Sequence, residues 1–163
     1  MTRKTLYTLP LLLFLMLGIA VAPALAASNR NFSTHLSGGG EVPPVDTKAQ
    51  GQAIFMLNKD GQTLHYKLLA ANIENLLQAH IHMAPEGVNG PIVAWLYPPA
   101  PPAVLIPGKF NGVLAEGAIT AANLVGPLVG HPLSDLVAAM EAGNAYVNIH
   151  TTQNPTGEIR GQI

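Results

Sequence analysis

The stretch "AHIHM", residues 79–83, places His80 and His82 one residue apart inside an otherwise apolar run. Two imidazoles at that spacing are either polar side chains on the wet face of a strand or the start of a metal site. On a β-strand, residues i and i+2 point the same way with Cα atoms about 6.6 Å apart, and from there two rings can close on one ion at roughly 2.0 Å per bond. On a helix the same spacing sends them to opposite sides. A third imidazole must come from a neighbouring strand, where facing side chains lie about 5 Å apart. His150, in "NAYVNIHT", is the best placed for that. His35, in "NFSTHLSG", and His131, before Pro132, are weaker candidates as extra ligands, and His65 reads as a solvated surface residue.

Which way these rings point follows from their neighbours. Side chains alternate along a strand, so in "LLQAHIHM" Gln78, His80 and His82 share one face, and Leu77, Ala79, Ile81 and Met83 share the other. The apolar set must face the core, which turns both histidines outward, away from it. The same alternation puts Ala145, Val147 and Ile149 inside and leaves Tyr146, Asn148 and His150 outside; His35 is outward as well. The expected site is therefore a set of outward-facing, exposed strand histidines, oriented by polar neighbours such as Gln78, Asn148 or Arg160.

The elements that must position them are short and mostly extended. Eight stretches have strand length and are bounded by Gly, Pro, Asn or Asp: "NFSTHLSG", "GQAIFMLN", "TLHYKLLA", "LLQAHIHM", "PIVAWLYP", "VLAEGAIT", "NAYVNIHT" and "GEIRGQI". In "MLNKDGQTLHY", Asn58 to Gly61 supply a tight hairpin turn. Such spacing implies an all-β, antiparallel sandwich or barrel of eight strands. One helix interrupts it: Leu133, Leu136, Val137 and Met140 fall at i, i+3, i+4 and i+7, with Gly143 after the last turn. Its expected role is to cover an open end. "PPAPPAVLIPG", residues 98–108, reads as a connection, since proline cannot donate to a ladder. In "LSGGGEVPP" the glycines serve turns, with Glu41 as a hydrogen-bond acceptor for them.

Composition narrows the function. Residues 1–26 carry Arg3 and Lys4, an apolar run from about Leu9 to Val21 and Ala24-Leu25-Ala26, the pattern of a cleaved secretory signal peptide. The run is shorter than the roughly 20 residues that span a bilayer, so no membrane span is expected after cleavage and the domain, 27–163, is exported to a periplasm or the extracellular medium. That domain has six basic residues against nine acidic ones, a net charge of −3 with histidine neutral, and no basic patch for nucleic acid. With no cysteine, no disulfide staples the fold. No nucleophile elbow, phosphate loop or paired carboxylate points to an enzyme.

Three motifs in order, "LSGGGEVPPV", "AHIHMAPEGVNGPIVAWL" and "GNAYVNIHTTQNPTGEIRGQI", make residues from about Phe32 to Ile163 resemble the CHRD domain, the module named after chordin. In strand pattern that domain is similar to copper/zinc superoxide dismutase, an eight-stranded Greek-key barrel whose copper ligands include a His-x-His. The resemblance matches His80 and His82 to that His-x-His and His150 to a later copper histidine. It implies an extracytoplasmic protein binding copper, or zinc, through these rings; an interaction or structural module contacting another envelope or extracellular protein is the other implied function. Departures argue against dismutation itself. The chain lacks the dismutase's cysteine pair, has no histidine between His82 and His131 for a bridging imidazole and zinc site, and lacks the positive charge that steers a small anion.

Overall fold

The computed structural model describes Met1 and residues 31–163; the signal peptide expected over 1–26 falls, apart from Met1, outside the described residues. Alternation builds the first two strands as expected. In β1 (Asn31–Ser37) and β2 (Gln50–Leu57), Phe32, Leu36, Ala53, Phe55 and Leu57 turn inward, and β1 and β2 pair antiparallel from Asn31↔Met56 to Ser37↔Gln50. The turn after β2 is the hairpin read from the sequence: Asn58 N–H donates to Thr63 O, and Gly61 takes φ +71°.

β3 differs from the sequence reading. "TLHYKLLA" and "LLQAHIHM" are one 20-residue strand, Leu64–Met83, so the described residues hold seven strands rather than eight. Asparagine commonly bounds a strand, but here Asn72 and Asn75 adopt φ +54° and +52° inside one, a left-handed conformation that asparagine tolerates well. The register with β5 shifts on either side of Ile73 and Glu74. Asn111 Oδ1 accepts from the Asn72 N–H and Asn75 Oδ1 accepts from the Gly108 N–H, which satisfies the backbone groups the bend frees. β5 (Ile106–Ile119) also begins earlier than expected, taking the last three residues of the proline-rich connection.

This long strand joins two halves of the sheet. Its first part lies between β2 and β5; its second part, with both histidines, lies between β4 (Ile92–Tyr97) and β6 (Ala145–Thr151). β6 pairs with β7 (Ile159–Gln162), and β7 returns to β1 through Ser37↔Arg160. β1, β2, β3, β6 and β7 therefore close a five-stranded antiparallel barrel, with β4 and β5 added on β3. The helix α1 (Leu133–Glu141) places Leu133, Leu136, Val137 and Met140 in the same apolar cluster as the strands' inward residues, and Gly143 ends it at φ +67°.

Candidate metal centre

The register brings the three histidines of "AHIHM" and "NIHT" to one place. Across β3 and β6, Gln78 faces His150, His80 faces Asn148, and His82 faces Tyr146. His150 thus sits diagonally beside His80 on the face opposite the core residues Ala79, Ile81, Val147 and Ile149. His80 Nδ1 lies 3.1 Å from His150 Nε2, and one ring nitrogen from each of the three residues falls within 4.8 Å of the others. Two nitrogens each about 2.0 Å from one ion in a tetrahedral site stand about 3.3 Å apart, so the observed pair already has the separation of two ligands.

The expectation of exposure is corrected. His80, His82 and His150 are 0%, 8% and 5% exposed, and every residue of β6 is buried. The rings do leave the apolar core, but loops fold over that outer face. The segment after β3 brings Gly90, whose carbonyl accepts from His82 Nδ1–H at 2.9 Å, and the turn after β6 brings Pro155, whose carbonyl accepts from His150 Nδ1–H at 3.0 Å. A carbonyl can only accept, so both bonds fix the proton on Nδ1 and leave Nε2 of each ring unprotonated. Trp95 on β4, paired with His80 from the other side, meets its ring edge to face, centroids 4.2 Å apart. Tyr146 stacks on His82 at 4.8 Å, and the Arg160 guanidinium lies 3.4 Å from the centre of the Tyr146 ring.

Burial sets the charge state. His80 is held down to about 3, first by loss of water around an imidazolium and then by the neighbouring His150 and His82. His150 is lowered to about 4, mainly by burial, with the Pro155 carbonyl opposing and His82 adding. His82 is lowered by burial, against the Gly90 carbonyl and with Arg160. All three rings are neutral at physiological pH, which is the state that binds a metal. His80 Nε2 and His82 Nε2 are buried with no hydrogen-bond partner. Buried polar atoms are nearly always paired, so the bare lone pair on His82 Nε2 fits a cation, and three neutral imidazoles are the donor set that suits copper or zinc.

The remaining histidines stand elsewhere. His35 is exposed opposite Gln52 on the β1–β2 pair, His65 is exposed on β3, and His131 is exposed with Nδ1 2.7 Å from Asp135 Oδ2 at the start of α1. None joins the three-ring group among the described residues. Of the three polar neighbours expected to orient the rings, Arg160 works at one remove. Its Nη1 donates to Asn89 Oδ1 and its Nη2 to Val88 O, so it ties the covering segment to β7. Asn148 donates through Nδ2 to both oxygens of Glu41, at 3.2 and 3.1 Å, so Glu41 serves Asn148 rather than the glycine turn. Burial raises Glu41 to about 7, with Arg160 and Asn148 opposing.

Gly90 carries no signal in the sequence that would mark it as part of the site. Besides holding His82 through its carbonyl, its N–H donates to Tyr146 Oη at 3.1 Å. A Cβ there would collide with the Met83 carbonyl oxygen and come within 2.8 Å of Ala84 Cβ. Gly90→Ala is therefore expected to lift the covering segment, lower unfolding stability by about 2 kcal/mol in urea titrations, and weaken metal binding roughly 10–100-fold because His82 loses its orienting partner.

The CHRD domain profile matches residues 32–163. Chordin of Xenopus laevis is 29% identical over 133 residues, covering 78% of this chain, while this chain covers 12% of Chordin. No solved structure matches. No helix among the described residues is long and apolar enough to cross a membrane. By the match over nearly all of the described residues, the chain belongs to the CHRD domain family.

Proposed function

We propose that this CHRD domain is an exported metal-binding protein, periplasmic or extracellular, that holds one copper ion, or zinc, on His80, His82 and His150. The observation that carries the reading is the convergence of three buried neutral imidazoles, each with a ring nitrogen within 4.8 Å of the others, with His82 Nε2 left without a hydrogen-bond partner. Copper binds such a nitrogen set more tightly than zinc. Bound copper would supply one-electron chemistry or be itself the cargo. The chain's own contribution is to keep the rings unprotonated, to fix two of them by backbone carbonyls, and to cover them with the segments carrying Gly90 and Pro155. That cover supports binding rather than turnover of a diffusing substrate, in line with the missing zinc site and the negative charge.

A ligand that binds only the folded state must raise its stability, by about 4 kcal/mol when free metal is a thousandfold above Kd. Calorimetry of the metal-free protein, repeated with copper(II) and with zinc(II), is expected to show a higher transition temperature with either metal. A transition unmoved by saturating metal would remove the reading. In that case the similarity to Chordin favours the second reading, a module that contacts another extracellular or envelope protein, since the matched segment is a small part of a much longer chain there.

A further inference from the structure

We infer that Asn148, locked by Glu41, is the residue that positions His80, by accepting the His80 Nε2–H and so freeing its Nδ1 for the ion; this rests on the three-histidine site proposed above. In the neutral metal-free site, His150 has its proton on Nδ1, toward Pro155 O. Its Nε2 can then only accept, and the atom 3.1 Å away is His80 Nδ1. His80 is thereby a Nδ1–H tautomer with Nε2 bare. For the facing nitrogens of His80 and His150 to offer lone pairs to one ion, the His80 proton must move to Nε2, with no change in net charge. There it needs an acceptor.

Asn148 supplies one. It is the residue directly across from His80 on β6, and its Oδ1 is buried without a hydrogen-bond partner, like His80 Nε2. An amide can usually be turned over to exchange its oxygen and nitrogen, but here a turn would set Oδ1 against the Glu41 carboxylate in place of Nδ2. Glu41 cannot easily back away, being 5% exposed. Gly157, at φ +135°, is what lets the pair sit so close: a Cβ on it would press on Asn148 Nδ2 and lie 2.6 and 2.8 Å from the two Glu41 oxygens. The row Glu41, Asn148, His80 thus converts a carboxylate outside the site into a fixed tautomer inside it.

The test uses protein labelled with 15N in histidine, at pH 8 where Glu41 is ionised, and zinc(II) as a diamagnetic probe. Long-range proton–nitrogen spectra are expected to place the His80 proton on Nδ1 without metal and on Nε2 with one equivalent of zinc. Asn148→Ala is expected to weaken zinc roughly 10–100-fold and to speed exchange of the His80 Nε2–H with solvent. Glu41→Gln, which keeps the volume and lets the amide turn, shifts both in the same direction by less. A zinc-loaded wild type with His80 still protonated on Nδ1, or unchanged zinc affinity in both variants, overturns the role of Asn148 while leaving the site standing. A folded wild type that takes up no zinc overturns both.

Discussion

His82→Ala and His150→Ala are each expected to abolish the stoichiometric site, with affinity losses beyond the roughly 10–100-fold that follows removal of an outer partner. Each substitution removes one of three nitrogens and leaves the others too few to hold the ion. It also strands a backbone carbonyl, Gly90 O or Pro155 O, under the cover. Competition against a chromophoric chelator measures the loss. His65→Ala, at an exposed position on the same strand, serves as the control and is expected to bind as wild type. Equal affinity in all three variants would show that the metal sits elsewhere.

Acid is expected to weaken the metal-free fold through the same rings. A histidine whose folded value is depressed stays neutral in the native state while the unfolded chain takes up a proton below about 6.5, so its contribution is complete above that pH and declines as pH falls toward the folded value. For His80 at about 3 and His150 at about 4, each ring lowers stability by about 1.4 kcal/mol per pH unit between 6.5 and 4. Glu41 works the other way. Its folded value of about 7 lies above its ordinary 4.5, so protonation favours the folded state as pH falls from 7 to 4.5. That offsets about half of the loss from the pair. Urea unfolding at stepped pH is expected to show a net fall of about 1–2 kcal/mol per unit between pH 6.5 and 4.5, steeper in Glu41→Gln. A stability profile flat from 6.5 to 4.5 in the Glu41→Gln protein would mean that the rings are hydrated.

How much of this could be read from the chain alone depends on which physical rule governs each feature. The period of two along a strand is local, so Ala79, Ile81, Val147 and Ile149 were enough to put His80, His82 and His150 on one shared face, and the helix face and hairpin turn followed from equally local patterns. Burial of that face was not legible, because alternation tells only which residues oppose the core. What covers the rings comes from Gly90 and Pro155, whose role is played by backbone carbonyls that carry no side-chain signature. Tyr146 was the available hint, a large aromatic on a face assigned to solvent, and it is 2% exposed. The strand count failed at Asn72 and Asn75, where residues that usually end a strand bend one instead. Glu41 lies 107 positions from Asn148, and no spacing rule links residues so far apart.

Whether the three imidazoles hold one ion is decided by paramagnetic resonance of copper(II) added to the metal-free protein. One equivalent is expected to give a single signal with splitting from several imidazole nitrogens, reduced or replaced in His80→Ala, His82→Ala and His150→Ala alike. A spectrum of hydrated copper in the wild type, or a bound signal that none of the three substitutions alters, would contradict the three-histidine site.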